Sequence, residues 1–269
     1  MGEFKMEIKF CSLSSGSSGN CQYIETDNSR ILIDAGFSGK RVEELLSSIG
    51  VCPTPLDAIF VTHEHIDHIK GVGVLSRRYD LPIYANGNTW VGMEKKIGNI
   101  KEKNIKVFTT AEYLDIQDMT IYPIGVFHDA LEPVGYIIFY KNTKISIITD
   151  TGWVNNNIIN KIKGSDLYLM ESNHDELMLK EGLYPWYLKQ RIMSDKGHLS
   201  NEDAGKILGN ILNGNNEIVL LAHLSQDNNV PELALDTVRS SILNQGIDVN
   251  KDIVLELSHR NKATKLYSL

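Results

Sequence analysis

The segment His63-Glu64-His65-Ile66-Asp67-His68 gathers three imidazoles and two carboxylates directly behind the apolar run Ala58-Ile59-Phe60-Val61. Neutral imidazole and carboxylate oxygen are ligands for zinc, manganese or iron, and a catalytic site of this kind leaves a coordination position open for water. Side chains alternate along an extended segment, so His63 and His65 share one side and one metal, while Asp67 and His68 turn toward a second. A core requires no such residues, and a solvated loop rarely collects them at this spacing. The segment therefore predicts a hydrolase running on two divalent ions, zinc or manganese, with iron an option. Glu64, between ligands, is expected to point away.

The elements that position this cluster follow from pattern. Strands are predicted near 6–11, 21–26 and 30–34, with Ser12 to Asn20 as a Gly/Ser turn between the first two. A helix follows from about Gly39, with Val42, Leu45, Leu46 and Ile49 at helical spacing and Gly50 as its stop. After the apolar strand and the cluster comes a helical pattern to Tyr79 and a strand at Pro82-Ile83-Tyr84. Residues 85–105 receive no element. The stretch 106–150 is strand-rich and ends in the pair Val134–Tyr140 and Lys144–Asp150. Beyond it, helices near 154–163, 175–194, 201–212 and 231–244 alternate with strands at 166–170, 217–222 and 252–257. Ser200, with Asp203 three residues on, marks a helix start. Two packed sheets with helices outside, an α+β architecture, account for this order.

Bulk properties agree. A chain of 269 residues, 42% hydrophobic, has material for a sizeable core, and no linker or composition shift divides it, so one domain over 1–269 is predicted. Met6 reads as a second start, the five residues before it as a cloning remnant. No apolar run approaches the ~18 residues of a membrane helix and no signal peptide is evident, so the expected location is cytoplasmic, without a membrane partner. Cys11, Cys21 and Cys52 form no Cys-x-x-Cys pair and are expected reduced and buried. The formal charge of −7 speaks against a nucleic-acid partner, yet two divalent cations would offset more than half of it.

The segment Thr62 to His68 resembles the signature of the metallo-β-lactamase fold superfamily. That resemblance implies a four-layer αββα sandwich of two mixed sheets flanked by helices, a two-metal site at the sheet edges, and further ligands downstream in fixed order. His128 in Phe127-His128-Asp129-Ala130, ahead of Gly135-Tyr136, matches the third motif. Asp150 in Ile148-Thr149-Asp150-Thr151-Gly152 matches the aspartate shared by both metals, and His223 in Leu221-Ala222-His223-Leu224-Ser225 the final histidine. The resemblance thus assigns His63, His65 and His128 to one ion, Asp67, His68 and His223 to the other, and Asp150 to both. The oxygen-reducing branch carries Glu where His65 stands, which argues against redox chemistry.

Two further segments, Leu169-Met170-Glu171-Ser172-Asn173-His174 and Lys196-Gly197-His198-Leu199-Ser200-Asn201, resemble paired loops of the nucleic-acid-processing branch. There a glutamate and a histidine relay a proton to the leaving oxygen, so Glu171 and His198 are implied in that role and Asp67 as the group orienting the nucleophile. A phosphodiesterase needs such a donor because the departing alkoxide is strongly basic. About twenty residues separate Asp150 from Glu171, leaving no room for the β-CASP cap domain or the arm of transfer-RNA 3′-processing enzymes. With the turn Ser12 to Asn20 and His128-Asp129-Ala130, these segments resemble the WalJ/YycJ family over roughly 6–260, implying a 5′-to-3′ exonuclease acting on DNA. The alternatives are an RNA-processing nuclease on the same site, a thioester or lactone hydrolase, and a non-catalytic metal-dependent binding protein. The Gly/Ser turn lacks the Lys-Ser/Thr of a P-loop and is expected to let backbone approach the site. Lys189 and Arg191, interleaved with Trp186 and Tyr187, either track a phosphate backbone or belong to an amphipathic helix with Trp186 in the core. His174 is a weaker candidate, and His259 is expected to be structural.

Overall fold

The computed structural model describes residues 7–249 and 251–269, so the reading of Met6 as a second start lies outside the described residues. Two seven-stranded sheets face each other. The first runs β14 (Tyr267–Ser268), β1 (Lys9–Ser14), β2 (Cys21–Glu25), β3 (Arg30–Ile33), β4 (Ala58–Phe60), β5 (Ile83–Asn86), β6 (Ile105–Phe108). The second runs β13 (Ile253–Leu257), β12 (Glu217–Ala222), β11 (Leu167–Glu171), β10 (Thr143–Ile148), β9 (Val134–Tyr140), β8 (Met119–Gly125), β7 (Leu114–Ile116). Both are mixed. In the first sheet the pairs from β14 to β3 are antiparallel and those from β3 to β6 parallel. In the second, β7 to β10 pair antiparallel and β10 to β13 parallel.

Side-chain alternation sorts the strand residues into layers. Ile31 and Ile33 face Ile145, Ile147, Leu169 and Leu220 in the core between the sheets. Leu32 turns outward to a core shared with α1 (Gly39–Ser48), α3 (Val72–Tyr79) and α4 (Gly87–Ile97). Tyr168, Met170, Val219 and Leu221 turn outward on the other side, against α5 (Asn156–Ile162), α8 (Asn201–Ile211) and α9 (Pro231–Leu243). Helix, sheet, sheet, helix is the four-layer αββα sandwich implied by the resemblance. No helix among the described residues is long and apolar enough to cross a membrane.

Three departures from the sequence pattern have physical causes. Residues 87–97 form α4, started by Asn86, whose side chain accepts from Thr89 N at 2.8 Å, with Trp90, Met93 and Ile97 buried. Gly87, Gly92 and Gly98 obscure that pattern, but Gly92 is required, since a Cβ there would lie 2.4 Å from the Glu64 side chain. The helical stretch predicted at 175–194 is two short helices, α6 (Glu176–Glu181) and α7 (Trp186–Ile192), broken at Gly182 to Pro185. Cys11 and Cys21 are buried thiols, whereas Cys52 is exposed and corrects the expectation for all three.

Candidate metal centre

The parallel strands of both sheets deliver their carboxyl ends to one edge, where open α/β sheets bind ligands. The segment after β4 enters this edge under two ties from β9: Val134 N donates to Thr62 O at 3.1 Å, and Tyr136 Oη to Val61 O at 2.6 Å. His65 is the N-cap of α2 (Ile66–Ile69), so the chain changes from extended to helical inside the cluster, and Asp67 and His68 point differently from His63 and His65.

Three residues turn into the edge from strand ends by one backbone device. Asp34 after β3, Asp150 after β10 and His223 after β12 have φ of +61°, +55° and +57°. Non-glycine residues seldom occupy the left-handed region, and such strain collects at functional sites.

The metal-competent atoms of His63, His65 and His128 lie within 4.8 Å of one another, the first predicted triad. Those of His63, His68 and Asp150 form another such group. The second predicted set is gathered around Asp150 instead of in one tight triad. His68 Nε2 is 3.4 Å from Asp150 Oδ2 and 3.6 Å from Asp67 Oδ2, while His223 Nδ1 is 3.2 Å from Asp150 Oδ1. Asp150 Oδ2 and His223 Nε2 are buried and have no hydrogen-bond partner. Eight other buried side-chain atoms among the described residues also lack a partner, but Asp150 and His223 belong to the groups of closely gathered imidazoles and carboxylates, and orphaned atoms on those residues fit divalent cations.

Electrostatics follow from this crowding. Burial, with His68, His128 and His65 nearby, holds the His63 imidazole well below its usual pKa. Burial also pulls on His68, but Asp34 and Asp150 outweigh it and push the ring up to about 10. For His223, likewise buried, Asp150 and Glu171 push it up to about 9. Asp150, also buried, is held well below the carboxylate range by His223, His68, His63 and His128.

Asp34 is a candidate site residue that pattern did not reveal. Its Oδ1 accepts from Thr62 N at 2.8 Å, and its Oδ2 from Thr62 Oγ1 at 2.8 Å and from His68 Nδ1 at 2.7 Å. Thr62 Oγ1 also lies 3.0 Å from His63 Nδ1. A carboxylate behind a ligand imidazole fixes its tautomer and raises its basicity. Its signal was only an Asp at the end of an apolar strand. His128 is oriented in the same sense, its Nδ1 lying 3.3 Å from Gly197 O.

Glu171, fully buried at the end of β11, meets both sides of the site. Its Oε1 is 2.7 Å from His198 Nδ1 and 3.1 Å from His223 Nδ1, and its Oε2 accepts from Thr151 N at 2.7 Å. Burial pushes its pKa up, but the pull of His198 and hydrogen bonds to His198 and His223 outweigh that and hold it below the usual range. His198, partly exposed, keeps Nε2 free on the cleft side of the pair, and its ligand atom also falls within 4.8 Å of those of His128 and Asp150.

The Gly/Ser turn approaches the centre as expected. Asn20 N donates to Asp67 O at 2.8 Å, the Asn20 side-chain amide lies 3.0 Å from His68 Nε2, and Ser15 Oγ accepts from His223 N at 2.9 Å. Glu64 points away, its Oε1 accepting from Leu131 N at 2.9 Å. His174 is buried outside these clusters, and burial lowers its pKa to about 4. His259 accepts from Ser15 N through its backbone carbonyl. Both alternatives for this stretch need correction: Trp186 is 62% exposed instead of in the core, and Lys189 is buried, donating to Lys180 O at 2.7 Å, so it is not placed to track a phosphate backbone.

The two facing mixed sheets and a histidine- and aspartate-lined centre at their common edge define a metallo-β-lactamase fold. The chain belongs to the family described as the beta-lactamase superfamily domain, whose model matches residues 29–223. Within it, the chain is 42% identical over 261 residues to Exodeoxyribonuclease YycJ of Bacillus anthracis, covering 97% of this chain and 99% of that protein. It is 40% identical over 261 residues to Exodeoxyribonuclease WalJ of Streptococcus pneumoniae, covering 96% and 97%. In structure it is similar to the metallo-beta-lactamase fold protein YhfI of Bacillus subtilis, with a TM-score of 0.75, 18% identity and 98% and 100% of the two chains covered.

Proposed function

We propose that the protein is a metal-dependent nuclease that hydrolyses phosphodiesters from the 5′ end of DNA. The observation that carries this reading is the Glu171–His198 pair beside the metal ligands. Thioesters, whose thiolate leaves readily, need no strong acid, whereas a departing sugar alkoxide does. The names of the two relatives, similar over almost their whole length, support DNA as the polymer.

In this reading His63, His65 and His128 hold one cation, Asp67, His68 and His223 the other, and Asp150 both. Divalent cations held by these residues, zinc or manganese in this reading, would acidify a water and neutralise charge on the phosphate. The chain's own residues do the rest. Asp67, half-buried at the cleft face, accepts a hydrogen bond from the attacking water and orients it. Glu171 holds the His198 ring by Nδ1, so that Nε2 carries the proton toward the leaving oxygen. Asp34 and Thr62 keep His68 and His63 in register as charge moves.

The test is a cleavage time course with zinc- or manganese-loaded protein on DNA and RNA strands labelled at either end. Release of mononucleotides from the 5′ end of DNA is expected. Internal cuts, or faster cleavage of RNA, would overturn the finer reading, and no cleavage of either polymer the coarser one.

A further inference from the structure

Beside His198 the cleft continues into a pocket of about 200 Å³, lined among others by His128 and His198 of the centre and by Tyr184, Leu188, Arg191 and Lys196. That is smaller than the ~300–1,000 Å³ typical of pockets for drug-sized ligands, so it suits one ring-sized group. Tyr184, Leu188 and Arg191 belong to α7 and the turn before it, and Lys196 to the turn after it. Leu188 supplies an apolar surface and Tyr184 a ring whose hydroxyl donates to Asp227 Oδ2 at 2.6 Å. Arg191 is ion-paired with Asp129 at the mouth, while Lys196 is exposed and has no carboxylate partner among the described residues. One helical turn before Arg191, on the same ridge, Tyr187 is 73% exposed and carries the wall outward from the pocket. The neighbouring row, Leu183 and Trp186, is also in solvent. The buried Lys189, bonded to the end of α6, fixes this surface in place.

An exposed ring on α7, a pocket ring and two cations lining the same pocket as His128 and His198 are the parts of a site for unpaired nucleic acid. We propose that this wall of α7 is the single-strand subsite of the centre, with Tyr184 and Tyr187 taking successive bases and Arg191 and Lys196 the phosphates between them. A duplex keeps its base faces stacked on one another, so only an unpaired segment offers them to a tyrosine. The proposal rests on the nuclease reading, since it gives that site its preferred form of substrate.

The test is fluorescence anisotropy of metal-loaded protein with a phosphorothioate oligothymidylate strand and with a blunt duplex, beside the cleavage assay. Tyr187→Ala is expected to weaken strand binding about tenfold, the scale of one base–aromatic stack, with a smaller penalty as the strand is shortened to a dinucleotide. Tyr187→Phe, which keeps the ring, is expected to restore it. Lys196→Ala is expected to lower the salt dependence by about one phosphate. Strand binding unaffected by Tyr187→Ala, or an equal loss for blunt duplex, would overturn the subsite. Strand binding that depends on Tyr187 without any cleavage would instead overturn the nuclease reading and leave the subsite standing.

Discussion

Replacing Asp34 with asparagine changes one atom at a fully buried position, and the geometry fixes what that does. The left-handed backbone at Asp34 is tolerated by Asn. The amide oxygen can still accept from Thr62 N, and the Thr62 hydroxyl can rotate to meet the new NH2. His68 has no such escape: its Nδ1 lies 2.7 Å from the Oδ2 that becomes a donor. The ring relieves the clash by moving its proton to Nε2, the nitrogen facing Asp67 and Asp150, and that nitrogen can then no longer bind a cation. A lost hydrogen bond to a charged group is worth ~1.5–3 kcal/mol, which at ~1.4 kcal/mol per decade is roughly 10- to 150-fold in affinity. Competition against a chelator, followed by metal analysis, should therefore show one of two ions held about 10- to 100-fold more weakly in Asp34→Asn. The other ion, through His63, His65 and His128, should be affected less. Two ions bound with parental affinity in a folded Asp34→Asn protein would refute the role given to Asp34.

The remaining expectations are shorter. His198→Ala should lower turnover of nucleic acid by roughly 10²–10⁴ with metal content intact, and the loss should shrink for a nitrophenyl diester, whose leaving group needs no proton. Glu171→Gln should lower turnover and metal occupancy together, which metal analysis beside the same assay reads. His68 and His223 carry raised pKa values, about 10 and about 9 against 6.5, so their charges stabilise metal-free protein fully below about 6.5 and cease to do so as pH rises through those values. Metal binding must expel the same protons, so the gap in Tm between loaded and metal-free protein should widen from pH 6.5 to 9; a constant gap would sink this. At Gly36 a Cβ would stand 1.7 Å from Asp67 O and 2.6 Å from Asn20 N, both backbone atoms. Gly36→Ala should cost ~1–3 kcal/mol or more, seen as a lower Tm, and loosen the Asn20–Asp67 tie.

What was legible in the sequence is what repeats or clusters. Alternation in Ile31-Leu32-Ile33 and in Leu167 to Met170 sorts residues between two cores, because a strand's two faces differ by one position. The candidate ligands among His63 to His68 announce themselves by density, and His128, Asp150 and His223 by their motifs. Asp34 was not legible, because a single acid after an apolar strand reads as a turn, and its contacts are to Thr62 and His68, 28 and 34 residues on. Nor was the outward face of α7. A helix of two turns offers too few positions for periodicity to say which side is buried, and here Lys189 went in while Trp186 and Tyr187 stayed out.

In the nuclease reading, the position of Glu171 makes proton donor and metal centre one unit. A carboxylate with no exposure at all stays ionised only if its charge is answered, and here it is answered by a backbone N–H and two imidazoles. One of those rings, His223, is bound up with Asp150; the other, His198, faces the cleft. The same oxygen serves both, so displacing either ring leaves the other with a changed acid strength. Tuning the donor without disturbing the ligand therefore requires a change on the cleft side of His198, and the wall carrying Tyr184, Leu188 and Arg191 lies there. A strand lying along that wall, as proposed, would also cover His198, so its binding would exclude water from the nitrogen proposed to deliver the proton.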